Sequence, residues 1–300
     1  MPVELNFATD YQRALQEPFK HMLQTAELWN SPSNNIIQWT GHNTVKLPTL
    51  KVTEGLRDRS RRTIGTFGAN YSNDWETYTL KNERDWQTLI DPSDVDETNF
   101  TTTMANVTRV FNEDEKIPEK DKFMFSSLYA QKKALDGTDG IFEEIITEAN
   151  VLRKFDDMMQ QMDEEAVPGN RVLYITPAIE RIIKRAEGLT RNFNVQQNNQ
   201  VIDTRISRID EVTLRTVAPD RFKTLFNFTN GAVVDPTAQQ IQMMLIHIPV
   251  MCAPEKYSFA GFTPPSAITY GNWLYYEQFY NDVILFEQRS KGIQFVVKPI

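Results

Sequence analysis

The side chains best suited to acid–base, nucleophilic or metal chemistry near neutral pH are histidine and cysteine. This 300-residue chain has three histidines and one cysteine. His21, His42 and His247 are scattered, with no ligand spacing of the HExxH kind, and Cys252 alone cannot supply a zinc-finger set. There is no GxGxxG, GxxxxGK[ST] or GxSxG, and Gly65-Thr66-Phe67-Gly68 is too short to cradle phosphates. DGTDG at 136–140 resembles the opening of a calcium loop but lacks the remaining oxygen ligands and the closing glutamate. The carboxylate pairs Glu143/Glu144 and Asp156/Asp157 fall on positions that read as solvated helix faces. His247, on an apolar strand, reads as a satisfied core residue, and Cys252, between Met251 and Ala253, as a buried one. The residues indicate no cofactor, no metal and no catalytic set.

The feature that stands apart is Arg57-Asp58-Arg59-Ser60-Arg61-Arg62, four arginines in six residues of a chain whose net charge is −8. A solvated loop and a nucleic-acid contact are both open readings, although no aromatic platform or flanking lysines extend the run. The preferred reading is a protein–protein contact, because arginine pairs bidentately with carboxylates. Asp91, Asp94, Asp96 and Glu97 form an acidic cluster suited to receive it on another copy.

Composition bounds the rest. Hydrophobic residues at 40% and charged residues at 24% are ordinary for a globular chain and exclude a fully disordered one. No apolar run approaches the roughly 20 residues of a membrane span, no signal peptide is visible, and a lone cysteine fits a reducing compartment. The acidic balance (pI near 5.1) argues against a bulk surface that grips nucleic acid.

The elements that must position the charged loop follow from periodicity. Residues 1–35 read as an arm, with Leu15, Phe19, Met22, Leu23 and Ala26 at helical spacing, that docks in cis or on a neighbour. From 36 to 90 the pattern is β-like. Val45, Leu47, Leu50 and Val52 alternate around Pro48, which marks an edge, and Tyr78 and Leu80 mark a second strand of a long projecting hairpin. Asp91 and Pro92 start a helix predicted over about 93–115, with Phe100, Met104, Val107 and Phe111 on one face, stopped before Pro118. A second helix is predicted over 119–134 and a third over 139–166. RVLYI (171–175) reads as a buried strand and Thr176-Pro177 as the start of a helix capped at Gly188. Strands are predicted at 203–209, 212–217 and 240–248, and the C-terminal stretch is aromatic and β-rich.

This order of elements resembles the major capsid proteins of tailed bacteriophages, with the Hong Kong 97-type fold. The wording carries the resemblance: DPSDVDETNF leading into ANVTRVFNEDEKIPEKDKF is similar to the spine-helix region of siphophages of Gram-positive hosts. NRVLYITPAIERIIKRA, TRISRIDEVTLRTVAPDRFKT and APEKYSFAGFTPPSAITYGNWLYYEQFYNDVILFEQRSKGIQF resemble the axial and peripheral domains. The resemblance implies an α+β capsid fold with an N-terminal arm (1–40), an extended β-hairpin loop (41–82) and a long spine helix (about 93–116). The peripheral domain would be 83–134 with 241–300, and the axial domain 135–240. It implies a structural protein of the virion, assembled in host cytoplasm, that forms pentamers and hexamers of itself around double-stranded DNA with no membrane. A portal protein is an implied partner, and since no long scaffolding segment precedes the arm, the resemblance implies scaffolding by a separate protein or none. An encapsulin-like compartment shell and a cytosolic α/β enzyme are the alternatives.

Overall fold

The computed structural model describes residues 21–41, 43–53, 55–56, 71–97, 103–186 and 208–299. A short helix α1 (Ala26–Trp29) and a 3-10 turn precede β1 (Gln38–Trp39), β2 (Thr44–Val52), β3 (Tyr71–Thr79) and β4 (Asn82–Ile90). Helices α2 (Pro92–Glu97), α3 (Met104–Phe111) and α4 (Ile117–Asp136) follow. The next block is β5 (Ile141–Glu143), α5 (Val151–Glu164), β6 (Arg171–Ile175), α6 (Pro177–Arg185), β7 (Arg208–Ile209) and β8 (Val212–Thr216). The last third is β9 (Phe226–Asn227), β10 (Val233–Val234), β11 (Ile241–His247), β12 (Met251–Cys252), β13 (Glu255–Thr263), β14 (Trp273–Asn281), β15 (Ile284–Leu285) and β16 (Ile293–Val297).

The core is a six-stranded mixed sheet in the order β5-β16-β11-β6-β8-β7. RVLYI and QMMLIH are continuous apolar runs because both faces of their strands are covered, so successive side chains go inward on opposite sides. Val172, Tyr174, Met244, Ile246 and Phe295 meet Phe125, Leu128 and Tyr129 of α4, with Leu28 of α1 in the same cluster. Leu173, Ile175, Met243, Leu245 and Val296 meet Phe155, Met158 and Met162 of α5 and Ile179 and Ile183 of α6. The arm residues 25–34 therefore dock in cis, while Leu15 and Phe19 lie outside the described residues.

The projecting hairpin forms as read. β2 and β3 pair antiparallel from Thr44 opposite Thr79 to Val52 opposite Tyr71. At its root Val45, Leu47 and Leu80 pack with Cys252, Tyr280 and Ile284. β1 covers only Val45 and Lys46, so the outer edge of β2 is already open at Pro48, where a missing N–H costs nothing. Beside it stands a second sheet, β13-β14-β4. One face of this sheet lies beneath the long helix, where Trp86 stacks on Phe111 with ring centroids 3.9 Å apart.

Three expectations are corrected. The helix predicted over 139–166 begins only at Val151. Gly137 and Gly140 turn the chain with φ of 65° and 73°, and Ile141 and Phe142 then join the sheet beside Phe295 and Val296 of β16. A periodic apolar pattern there reflects one strand followed by one helix. The helix predicted to stop before Pro118 instead runs on: Lys116 and Ile117 keep α-helical backbone angles, and α4 continues to Asp136. The turn before it, Asn112–Lys116, is π-helical. That wider turn displaces the carbonyl which the Pro118 ring would strike in a regular α-helix. The predicted spine is also interrupted at Thr103, which is extended and caps α3 by accepting from Asn106 N. Helix α6 ends at Arg185, and Ala186 after it leaves the helical conformation. Gly188 and the predicted strand residues 203–207 lie outside the described residues.

Candidate assembly surface

Among the described residues, no group of three or more His, Cys, Asp or Glu side chains is placed to hold a metal ion. His247 is half-buried at the end of β11, and burial lowers its pKa below the ordinary imidazole value. In DGTDG, Asp136 accepts from Lys132 Nζ at 2.6 Å and from Ser290 Oγ at 3.1 Å. Asp139 pairs with Lys291, which holds its carboxyl below the usual range. Those carboxylates are committed to cations of the protein itself.

Cys252 is fully buried between the hairpin root and β15, and burial pushes its thiol up to about 12. Only a negligible fraction is thiolate at neutral pH. An aromatic disulfide reagent is expected to leave the folded protein unlabelled for hours and to titrate one thiol after guanidinium unfolding. Rapid labelling of folded protein would contradict the hairpin root as described.

A groove of about 490 Å³ lies between the long helix and the β4/β14 pair. Its charges are tied to one another. Arg84 pairs with Glu119 at 2.6 Å and Lys116 with Glu277 at 3.0 Å, while Lys116 and Lys120 both lie over the Phe279 ring. Such a set fastens helix to sheet.

A buried polar cluster fixes the arm. Asp121 of α4, with no exposure, accepts from the backbone N–H of Thr25 at 2.9 Å, from Thr25 Oγ1 at 2.6 Å and from Arg221 Nη1 at 2.8 Å. Gln24 N–H donates to the same carboxylate at 3.1 Å, and Arg221 also donates to the carbonyl of Met22. Sequence inspection places Arg221 only in a loop. Three partners separated by about a hundred positions leave no local pattern to read.

Of the charged residues singled out in the sequence, Arg57, Arg59, Arg61 and Arg62 lie outside the described residues. Asp91 is the helix cap it was read to be, accepting from Ser93 N at 2.8 Å. Asp94 is exposed in the first turn of α2, and Asp96 and Glu97 complete that helix.

What the sequence reading missed is the change of face along the hairpin. Near the root the odd-numbered positions Val45 and Leu47 face the core. Beyond Pro48 the odd positions Thr49 and Lys51 are polar, and the apolar side chains move to the even face. There Leu50, Val52, Tyr71 and Trp75 are 62%, 69%, 67% and 40% exposed. The flip is visible as a broken alternation around Pro48, Val45 and Leu47 against Leu50 and Val52.

No protein-family model matches the chain, and no curated protein matches it by sequence. Its fold is nevertheless well represented among solved structures. A structure of Mycobacterium phage Che8 superposes with a TM-score of 0.64 at 12% identity, covering 94% of each chain. The capsid of cyanophage P-SCSP1u gives 0.64 at 9%, covering 98% of this chain and 93% of the other. The mature capsid of bacteriophage PhiM1 gives 0.62 at 11%, covering 85% and 82%. The chain thus has an α+β viral capsid fold. The architecture is the Hong Kong 97-type one, and capsid structures of phages are among its structural neighbours.

Proposed function

We propose that this chain is the major capsid protein of a tailed phage, assembling through hexamers and pentamers into an icosahedral head that encloses double-stranded DNA. The observation that carries this reading is superposition on phage capsid structures over nearly the full length of both chains.

In this reading the arm (1–40), the extended loop (41–82), the peripheral domain (83–134 and 241–300) and the axial domain (135–240) act as tiling parts. A single exposed ion pair contributes at most about 1 kcal/mol. A closed shell multiplies each contact by symmetry, and the linkage between copies makes the weak contacts cooperative. A net charge of −8 lets packaged DNA lie near the wall without adhering. A separate scaffolding protein and a portal protein complete the assembly, in host cytoplasm first and then in the virion.

The arginines Arg57, Arg59, Arg61 and Arg62 of the extended loop are assigned to the acidic start of α2 on a neighbouring copy, at Asp91, Asp94, Asp96 and Glu97. Replacing Arg59, Arg61 and Arg62 together with alanine is expected to reduce the yield of sedimenting particles at least tenfold and to leave subunit solubility unchanged. Particle yield equal to that of the unsubstituted chain would remove the arginines from the contact.

A further inference from the structure

Asparagine is a thermolabile residue, and it is most labile before glycine, whose unhindered backbone nitrogen can reach the side-chain carbonyl carbon. Only one asparagine of this chain precedes a glycine, at Asn230-Gly231. Folding decides whether such a pair reacts. The glycine N–H must be free, the asparagine side chain must be free to swing over it, and the backbone must have room for a five-membered ring.

All three conditions are met in the bend between β9 and β10, where Asn227 is opposite Val233. Asn230 is exposed, and neither its side-chain amide nor the Gly231 N–H has a hydrogen-bond partner among the described residues. Gly231 has φ of 69°, with nothing within 4 Å of where a Cβ would stand. Asn230 itself is outside the left-handed region, so the bend is not the tight hairpin turn with both central residues at positive φ. Asparagines nearby in sequence or next to a small residue are tied down. Before Ser31, Asn30 donates its amide to the Ala26 carbonyl at 3.0 Å, and the Ser31 N–H is bonded to the Leu28 carbonyl. Asn227 accepts from Thr229 N at 2.9 Å.

The bend is pinned at both ends. Arg84 Nη1 donates to the Phe228 carbonyl at 2.5 Å, and Lys122 Nζ donates to the Ala232 carbonyl at 3.1 Å. The hairpin is thereby fixed to β4 and α4, while Thr229, Asn230 and Gly231 rim the groove that also holds Arg84.

We infer that Asn230 is a site of self-modification. The Gly231 nitrogen gives up its proton and bonds to Cγ of Asn230. The Cγ–Nδ2 bond breaks, and ammonia leaves with that proton, closing a succinimide. Water then opens the ring. Addition at Cγ breaks the new bond to the Gly231 nitrogen and leaves aspartate. Addition at the main-chain carbonyl carbon breaks the original peptide bond and leaves isoaspartate, whose backbone runs through Cβ and Cγ. No electrons are transferred, and water is the only co-reactant. Isoaspartate makes the bend one bond longer, so it no longer matches the spacing of its two anchors. The site records the age of each copy and loosens the hold of Arg84 and Lys122 on the β9–β10 hairpin. This inference stands apart from the shell reading, since it concerns the chemistry of the single chain.

The test incubates the full folded chain in mildly alkaline buffer at physiological temperature. Peptide mass spectrometry follows exchange of the side-chain –NH2 for –OH, and methyl transfer by an isoaspartyl methyltransferase counts the isoaspartate. The expected result is conversion confined to Asn230, with isoaspartate the major product. Conversion at this position is expected to be at least tenfold slower in Asn230→Gln, whose longer side chain would have to close a six-membered ring. Chymotrypsin cleavage after Phe228 is expected to be faster in aged than in fresh protein, and unchanged by ageing in Asn230→Gln. Persistence of the Asn230 amide in the folded chain, or equally rapid conversion of asparagines elsewhere, would overturn the assignment. Conversion without any change in cleavage would overturn the loosening of the hairpin.

Discussion

Asp121→Ala is expected to lower the stability of the folded subunit by about 3–5 kcal/mol, the range for removing one partner of a buried ion pair. The loss has two parts. Arg221, 2% exposed, is left as an uncompensated buried cation, and the backbone N–H of Thr25, with its hydroxyl, loses its acceptor in a dry site. Asp121→Asn keeps an acceptor for Thr25 but not the charge, and its cost is expected to fall between the two. Urea midpoints of the soluble subunit measure both. Because the same carboxylate holds the arm, protease cleavage near Thr25 is expected to accelerate in Asp121→Ala before global unfolding. Unchanged midpoint and cleavage would mean that the arm is held by Leu28 and Trp29 alone.

Phe125→Ala carries the second large effect. Phe125 is fully buried between sheet and helix, with ring centroids 5.6 Å from Tyr174 and 4.6 Å from Phe222, both in edge-on geometry. Truncation removes the transfer free energy of the ring and leaves a cavity that helix and sheet cannot close, together about 3–5 kcal/mol. Phe125→Leu refills most of that volume and is expected to recover most of the loss. If Phe125→Ala shifted the urea midpoint no more than a surface substitution, the α4-on-sheet core would be wrong.

Legibility in the sequence followed the range of the interactions. RVLYI announced a buried strand and QIQMMLIHI a strand, and Thr176-Pro177 and Asp91-Pro92 announced helix starts, because cap, proline and apolar run act within a few residues. The third predicted helix failed at Ile141, where β16, more than 150 positions away, captures the strand. Pro118 misled because a π-helical turn a few residues earlier removes the clash that normally ends a helix. The arm latch was illegible, since Thr25, Asp121 and Arg221 meet only in the folded chain. The uncovered hairpin face was half legible: its alternation changes phase at Pro48, but only the paired register shows Trp75 and Tyr71 joining Leu50 and Val52. The resemblance to phage capsid proteins rested on longer phrases than any of these, and the capsid fold it implied is the fold observed.

The most direct test of the central claim is light scattering coupled to size-exclusion chromatography, with electron microscopy of the largest species, on the chain produced together with its adjacent reading frames. The account predicts closed icosahedral shells or rings of five and six copies. A homogeneous monomer of 34.8 kDa under those conditions would contradict it.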